Sequence, residues 1–221
     1  MKPLGKVSTS WSTKLAYAVG LITTDGCLSK DGRHINLTSK DKDQICTFKK
    51  CLGIKNKVGL KTGGFVKNKK YYNLQFGDVL FYRFLLDIGL TSAKSKTLKS
   101  LKIPNKYFAD FLRGSLDGDG TFYSYWDKRW ASSFLFYLGF ISASLEHLEW
   151  LQNKIYFLYK TKGHLNKSSN NKAYQLKYAK TEAEVIIKKI YYLPNIPKLD
   201  RKFKKINKAL KINREHNARV S

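Results

Sequence analysis

Two segments of the chain, residues 18–26 (AVGLITTDG) and 112–120 (LRGSLDGDG), are similar to each other and both end in Asp-Gly. Each predicts a helix, and the carboxylates of Asp25 and Asp119 fall at its C-terminal end. A carboxylate is unfavourable there, because the last carbonyl groups of a helix already carry partial negative charge. A single Asp-Gly is commonly a turn, but two in matching context call for a counter-charge, and a divalent cation can supply it. The pair therefore predicts an active site.

Small residues recur one helical turn apart in both segments. Gly20 and Thr24 share one face of the first predicted helix, and Gly114 and Gly118 share one face of the second. Small residues at positions i and i+4 allow two helix backbones to approach closely. The two helices are therefore predicted to pack against each other, which would bring their carboxylate ends together.

At these residues the chain resembles the LAGLIDADG family of homing endonucleases, with two copies of the motif. Two positions depart from the family pattern: Thr23 stands where an acid is frequent, and Ser115 replaces a leucine. The matching residues are Gly20, Leu21, Ile22, Asp25 and Gly26 in the first copy, and Gly114, Leu116, Asp117, Asp119 and Gly120 in the second.

The resemblance implies a metal site and a basic residue beside each scissile phosphate. Asp25 and Asp119 would bind Mg²⁺, for which Mn²⁺ or Ca²⁺ can substitute in binding, and Gly26 and Gly120 would complete this site. These two glycines also suit the left-handed residue that closes a helix. Lys40 matches the position of the basic residue in the first half of the chain.

The matching position of the second half, 103 residues further on, is Ala143. We expect Lys128, Arg129 or another lysine to substitute there, or the two DNA strands to be cut at unequal rates. The four histidines are scattered along the chain and are expected at the surface; they are His34, His147, His164 and His216.

The chain also repeats itself outside the motifs. YNLQF at 72–76 is matched by YQLKY at 174–178, an offset of 102 residues. The predicted fold is α+β, with two pseudo-symmetric αββαββα halves that each carry a curved antiparallel sheet and pack through the motif helices. The predicted units are residues 1–89, a basic linker at 90–106, and residues 107–221, which end in one more basic helix and a frayed tail. Around the repeat, strands are predicted at 33–40 and 134–142, and helices at 42–54, 78–89, 144–158 and 182–193.

Composition points to a polyanionic partner. The chain has 42 Lys and Arg against 16 Asp and Glu, a formal charge of +26 in 221 residues. Nucleic acid is the commonest partner of so basic a protein, and a hydrophobic content of 43% supports a folded core. Three cysteines, no signal peptide and no apolar run long enough to span a bilayer predict a soluble protein of the cytoplasm or an organelle matrix.

Residues of one parity on a strand share a face of the sheet, and the polar faces are predicted to lie on DNA. In the first half, amides would read base edges, whereas the less polar second face, which includes Ile141, would contact thymine methyl groups or read shape. The predicted base-reading residues are His34, Asn36, Thr38, Asn73 and Gln75 in the first half, and Tyr137, Gly139, Gln175 and Lys177 in the second. Arg33 and Ser133 are predicted to bind DNA beside them. Phosphate contacts are predicted for the hairpin lysines Lys67, Lys69, Lys70, Lys160, Lys162, Lys167 and Lys172, with loop tips at 62–64 and 168–171 reaching outlying bases. Lys128 and Arg129 are also predicted to bind DNA.

These features favour a site-specific double-strand DNA endonuclease that acts as a monomer on a long asymmetric target. The resemblance implies that it leaves 3′ overhangs. Two alternatives stay open: a maturase that binds intron RNA on the same scaffold, and a nuclease-inactive DNA-binding protein. No membrane partner and no obligate protein partner are expected.

Overall fold

A computed structural model of the chain describes residues 5–62, 70–130, 133–167 and 173–220. Both halves follow the predicted αββαββα order, and none of the described helices is long and apolar enough to cross a membrane. The first half comprises α1 (Thr13–Asp25), β1 (Gly26–Leu28), β2 (His34–Ser39), α2 (Lys42–Leu52), β3 (Gly59–Thr62), β4 (Lys70–Gly77) and α3 (Val79–Asp87). The second comprises a 3₁₀ turn (Asn105–Tyr107), α4 (Phe108–Asp117), β5 (Thr121–Trp126), β6 (Phe134–Ser142), α5 (Leu145–Tyr159), β7 (His164–Lys167), β8 (Tyr174–Ala179), α6 (Lys180–Ile190) and α7 (Asp200–Val220).

Each half contains a four-stranded antiparallel sheet with the same connectivity. The strand orders are β1-β2-β4-β3 and β5-β6-β8-β7. Leu37 pairs with Leu74 in the first sheet, and Phe140 pairs with Leu176 in the second. The sequence offsets of 103 and 102 residues are therefore the structural equivalences of the two halves.

Alternation along the strands separates an apolar face from an exposed face. Ile35 and Leu37 of β2 are fully buried, and His34, Asn36 and Thr38 are half-buried on the opposite face. In β6, Phe136 and Leu138 are fully buried in the same way. Because the apolar faces pack on the helices, the polar faces of both sheets stay open.

Helices α1 and α4 pack with their backbones in contact. A Cβ added to Gly20 would lie 2.2 Å from the Phe111 carbonyl oxygen, and one added to Gly114 would lie 2.1 Å from the Tyr17 carbonyl oxygen. One turn further on, a Cβ on Gly118 would lie 1.9 Å from Thr24 Oγ1. The four small residues of the motifs therefore meet at this contact, and no larger side chain fits at any of the three glycines.

The glycines that follow the motif carboxylates are not left-handed, which corrects the prediction for Gly26 and Gly120. Gly26 is extended, with φ −84° and ψ 157°, and Gly120 also lacks a positive φ. Space explains both glycines. A Cβ would lie 2.6 Å from Ile22 Cα in the first case and 2.6 Å from Leu116 Cα in the second. The chain turns back so tightly against its own helix that no side chain fits.

The second half has a longer first hairpin, which α7 supports. Strands β5 and β6 have 6 and 9 residues, whereas β1 and β2 have 3 and 6. Helix α7 packs against both long strands, with Ile206 and Ala209 buried and with His216 edge-on to Trp126 at 5.3 Å. The predicted frayed tail is wrong, because this helix continues to Val220.

Candidate active site

The two motif helices end differently, so their carboxylates have different surroundings. Helix α1 continues to Asp25, which is half-buried, whereas α4 ends at Asp117 and leaves Asp119 exposed in the turn that follows. The turn is closed by the Gly120 backbone N–H, which donates to the Ser115 carbonyl. The Asp-Gly pairs thus meet where α1 and α4 converge, but only one of them lies within a helix.

The two motif carboxylates interact. Burial raises the pKa of Asp25 to about 7, the negative charge of Asp119 adds to the rise, and Lys202 and a hydrogen bond from Gln44 oppose it. A cation held between the two carboxylates would remove the repulsion between their negative charges and so lower the pKa of Asp25. The described residues contain no cluster of three or more His, Cys, Asp or Glu side chains that could hold a metal. This donor set fits a hard cation such as Mg²⁺, which keeps several waters and accepts phosphate oxygens as further ligands.

Two lysines that the sequence reasoning missed neutralise the ends of the motif helices. Lys94 Nζ donates to the Gly26 carbonyl, and Lys202 Nζ donates to the Gly118 and Gly120 carbonyls at 2.9 and 2.6 Å. Burial lowers the pKa of both lysines, while the neighbouring carboxylates raise it. Each ammonium faces the negative end of a helix. The sequence did contain one signal for these lysines: the negative charge at the two helix ends is unfavourable and calls for cations in addition to the predicted metal.

The same contacts argue against Gly26 and Gly120 as metal ligands. Their carbonyl oxygens face the ammonium groups of Lys94 and Lys202, which would repel a second cation at the same atoms. The donors that remain for a metal at this place are the carboxylates of Asp25 and Asp119.

One pocket beside the carboxylates, here called the Lys40 pocket, belongs mainly to the first half. Gln44 is fixed there: its Nε2 donates to Asp25 Oδ2 at 3.2 Å and to the Asp117 carbonyl at 3.1 Å, and its Oε1 accepts from Ser39. Lys40 itself is exposed. The lining residues include Asp25, Lys40, Asp41, Gln44, Asp119 and Arg201.

A second pocket, here called the His147 pocket, lies on the other side of Asp119. Ala143 stands there in the place of Lys40, as expected, because Ser39 pairs with Tyr72 and Ser142 pairs with Tyr174. His147 is buried, with 4% of its surface exposed, so the prediction of a surface histidine is wrong for this residue. The lining residues include Thr24, Lys94, Asp119, Ser142, Ala143 and His147.

Lys94 is the basic residue of the His147 pocket. Lys128 and Arg129, the predicted substitutes, follow Trp126 at the far end of the β5–β6 hairpin, whereas Thr121 marks the end next to the motif. Five residues of extended strand, roughly 16 Å, separate the two ends. The expectation that Lys128 or Arg129 replaces the missing lysine is therefore wrong.

Asp117, the acid without a counterpart at Thr23, is a buried structural residue. Its Oδ2 accepts from the Tyr17 hydroxyl at 2.8 Å and from the Leu199 backbone N–H at 2.7 Å, and burial raises its pKa to about 6. It ties α1 to the segment that leads into α7. Thr23 instead bonds to the Val19 carbonyl of its own helix.

The exposed face of the first sheet is a polar surface. Thr38 Oγ1 lies 3.0 Å from Asn73 Oδ1 and 3.1 Å from Asn36 Oδ1, and Gln75 is exposed on the same face. His34 lies at the edge of this surface, in contact with Asp31. The predicted amide and hydroxyl groups are thus brought together, and Arg33 is beside them in the turn before β2, 3.9 Å from Asp31.

The exposed face of the second sheet is aromatic. The rings of Tyr123 and Tyr137 stack at 5.2 Å, Tyr125 stacks on both at 6.3 to 6.4 Å, and Lys177 Nζ lies 3.9 Å from the Tyr137 centroid. Gln175 Nε2 donates to Thr121 Oγ1 at 3.4 Å. Tyr123 and Tyr125 were missed, although the same alternation that identified Tyr137 applies to them.

Gly139 is packed tightly between these side chains, and a Cβ there would lie 2.7 Å from Thr121 Oγ1. The other predicted contacts are dispersed. Lys70 begins β4 and Lys167 ends β7, both exposed, and Ser133 is half-buried just before β6. Lys67, Lys69, Lys172 and the loop tips at 62–64 and 168–171, apart from Thr62, lie outside the described residues.

Comparison with solved structures supports the fold. The chain matches the LAGLIDADG meganuclease I-AabMI, bound to uncleaved DNA, with a TM-score of 0.62 and 16% identity over 92% of this chain and 91% of that one. It matches I-DmoI, in complex with DNA and Mn, with a TM-score of 0.52 and 15% identity over 83% and 98% of the two chains. Full-length DUF199/WhiA from Thermatoga maritima matches with a TM-score of 0.56 and 14% identity, over 92% of this chain.

The chain spans only 62% of the length of that WhiA protein. No protein-family model matches the chain, and a search of curated proteins also finds no match. At these identities the comparisons show the fold. The chain has the two-sheet α+β fold of the LAGLIDADG homing endonucleases, and the resemblance noted in its sequence is confirmed at that level.

Proposed function

We propose that this protein is a site-specific DNA endonuclease that hydrolyses both strands of a long asymmetric duplex. The observation that carries the proposal is the meeting of Asp25 and Asp119 at the junction of α1 and α4, close enough for Asp119 to raise the pKa of Asp25. Two carboxylates that repel each other, one of them half-buried, are costly for folding and typical of a functional site. It lies between two sheets whose exposed faces carry the predicted DNA contacts.

The substrate follows from charge and shape. A net charge of +26 favours a polyanion, and strands present a continuous row of side chains to the major groove. The endonucleases of the same fold that were solved with DNA support double-stranded DNA as the partner. Because both motifs lie in one chain and the two faces differ, we propose that one molecule binds one asymmetric site. We also propose 3′ overhangs, as the resemblance implies.

A divalent cation, which we propose to be Mg²⁺, would neutralise the scissile phosphate and lower the pKa of the attacking water. The Mn in the I-DmoI complex supports a divalent ion for this fold. Asp25 and Asp119 would hold the cation, and the glycine contact between α1 and α4 keeps their backbones at a constant distance. Gln44 orients the Asp25 carboxylate through its Nε2. Lys40 in one pocket and Lys94 in the other place positive charge beside the phosphate of each strand.

Cleavage of a randomised duplex library in the presence of Mg²⁺, followed by sequencing of the cut ends, tests the proposal and identifies the target. We expect Asp25→Asn and Asp119→Asn to abolish cleavage while binding persists, since affinity comes mainly from phosphate contacts. Asp87→Asn is the matched control, because Asp87 also ends a helix, α3, but is exposed and lines neither pocket. Undiminished double-strand cleavage by either motif variant would contradict the assignment.

A nuclease-inactive DNA-binding protein is the second candidate. The observation that favours it is the match to WhiA, which is not named as an endonuclease, over 92% of this chain. The library experiment separates the two functions: selective retention of duplexes without cut ends supports the second. Retention of structured RNA in preference to duplex DNA would support the intron maturase.

A further inference from the structure

Gln44 and His147 occupy equivalent positions in the two halves. Each is the third residue of the helix that follows the second strand of its half: α2 begins at Lys42 and α5 at Leu145. They are 103 residues apart, the same offset that relates β2 to β6. Gln44 lines the Lys40 pocket and His147 lines the His147 pocket.

The hydrogen-bonding groups of the two residues differ in character. Both ends of the Gln44 amide are committed, since Oε1 accepts from Ser39 and Nε2 donates to the Asp25 carboxylate and to the Asp117 carbonyl. Gln44 is therefore a donor toward the motif carboxylate. His147 Nδ1 lies 2.9 Å from the Lys99 carbonyl, a partner that can only accept, so Nδ1 carries the proton. In the neutral ring, Nε2 then holds a lone pair and is an acceptor.

The acceptor of His147 is held in place, and none of the described residues donates a hydrogen bond to it. The ring stacks on Trp150 at 5.3 Å, and only 4% of the residue is exposed. Burial lowers the pKa of His147 to about 4, so the ring is neutral at physiological pH. Within the described parts of the chain, no hydrogen bond to Nε2 is present. An unsatisfied acceptor at a pocket wall is a binding position for water.

The rest of this pocket suits a water that attacks a phosphate. Asp119 and Lys94 line the pocket together with His147, and Lys94 is near enough to affect the pKa of His147. Ala143, which replaces a lysine, leaves the space beside them open. The other groups around the ring are the Thr24 and Ser142 hydroxyls.

We propose that His147 is a positioning residue for one DNA strand only, and that its Nε2 orients the attacking water in the His147 pocket. This inference rests on the proposed endonuclease function. In the Lys40 pocket the equivalent residue orients the Asp25 carboxylate instead. The two strands are thus cut with the help of different side chains, although Asp119 lines both pockets.

The test compares His147→Ala with Gln44→Ala in single-turnover cleavage of the target that the wild-type protein selects from the library, with each strand labelled separately. We expect each variant to slow one strand by about tenfold to a hundredfold, since misplacing a reacting group by about 1 Å can cost a hundredfold. The two variants should slow opposite strands, and the affinity for DNA should not change. Added imidazole should restore the strand slowed in His147→Ala and leave Gln44→Ala unaffected.

His147→Gln is the conservative variant, because its Oε1 can also accept a hydrogen bond; we expect an intermediate rate for the affected strand. It also replaces His147→Ala if that variant does not fold, as judged by thermal unfolding. Equal slowing of both strands, slowing of the same strand by both variants, or rates that do not respond to imidazole would overturn the inference. If the wild type cuts neither strand, the proposed function fails and this inference fails with it. If the wild type cuts both strands and only the variant pattern is wrong, the inference alone fails.

Discussion

The two sheets share strand order and register but present different chemistry on their exposed faces. The first carries Asn36, Thr38 and Asn73 in one hydrogen-bonded group, and the second carries a stack of tyrosines with Lys177 on its end. Amides can distinguish base edges by donors and acceptors, whereas ring edges favour methyl groups and shape. The backbone of the repeat therefore fixes where each half would touch DNA, and the side chains decide what it would read.

The tyrosine stack also limits what the second face can do. The rings of Tyr123 and Tyr137 face each other and Lys177 lies over the Tyr137 ring, so these ring faces are covered in part. Unpaired bases bind to free ring faces, so the stacking reduces the surface open to single strands. The ring edges and hydroxyl groups would meet the groove of a duplex.

The largest effect should be the loss of DNA affinity in salt, because both halves contribute contacts to phosphates. If the basic surface neutralises roughly 6–10 phosphates, affinity should fall by about 10³–10⁵ between 50 and 200 mM salt. Titration of the target at several salt concentrations measures the slope. A flat response would show that the basic surface is not the binding surface, and the comparison of the two faces would lose its basis.

Next in size is the difference between the two pockets. Lys40→Ala should slow one strand by about 100- to 1,000-fold, because Lys94 still serves the other pocket. A nicked intermediate should then accumulate on supercoiled plasmid. Lys42→Ala is the matched control, since Lys42 is an exposed lysine two residues away that does not line either pocket. We also expect Ala143→Lys to raise the rate of the other strand. Equal slowing of both strands by Lys40→Ala would contradict the separation of the pockets.

Base analogues test the two faces directly and should have a smaller effect. Replacing thymine by deoxyuridine in the second half-site should weaken binding about fourfold for each contacted methyl, since burying such a group is worth ~0.8 kcal/mol. Replacing adenine by 7-deazaadenine, which removes the N7 acceptor, should weaken binding in the first half-site instead. Tyr137→Ala and Asn73→Ala should each abolish the sensitivity of one half-site. Equal sensitivity of both half-sites to both analogues would remove the distinction.

The smallest effect concerns stability without metal. Asp25 has a pKa of about 7 in the folded chain, above its ordinary value of 3.8, so the folded state holds a proton that the unfolded state releases. Stability should therefore fall as pH rises from about 4 to 7 and stay lower above that. Asp25→Asn removes this penalty, and we expect its Tm to exceed that of the wild type at pH 8 and to match it below pH 4. Thermal scans in chelator across this range provide the measurement. A Tm difference that does not vary with pH would show that the pKa of Asp25 is ordinary.

The sequence predicted the fold well because its signals were local and repeated. The Asp-Gly ends and the small residues of the motif helices occur once in each half, and the strands that follow them repeat at an offset of about 103 residues. Each half therefore supported the interpretation of the other. Lys94 and Lys202 were missed because nothing local distinguishes them among 42 basic residues; only the return of the chain to the motif ends selects them. His147 was missed for a similar reason, since its burial depends on the Lys99 carbonyl and on Trp150.

The contact of α1 with α4 would set the distance between the two cuts in the proposed endonuclease. Gly20 and Gly114 leave no room for a side chain between the helices, so the distance between the two carboxylate ends does not depend on rotamers or on repacking. The spacing of the two cuts, and hence the length of the overhang, would be a property of the backbone alone. The faces of the two sheets are then free to change their side chains and acquire new target sequences without altering the geometry of the break.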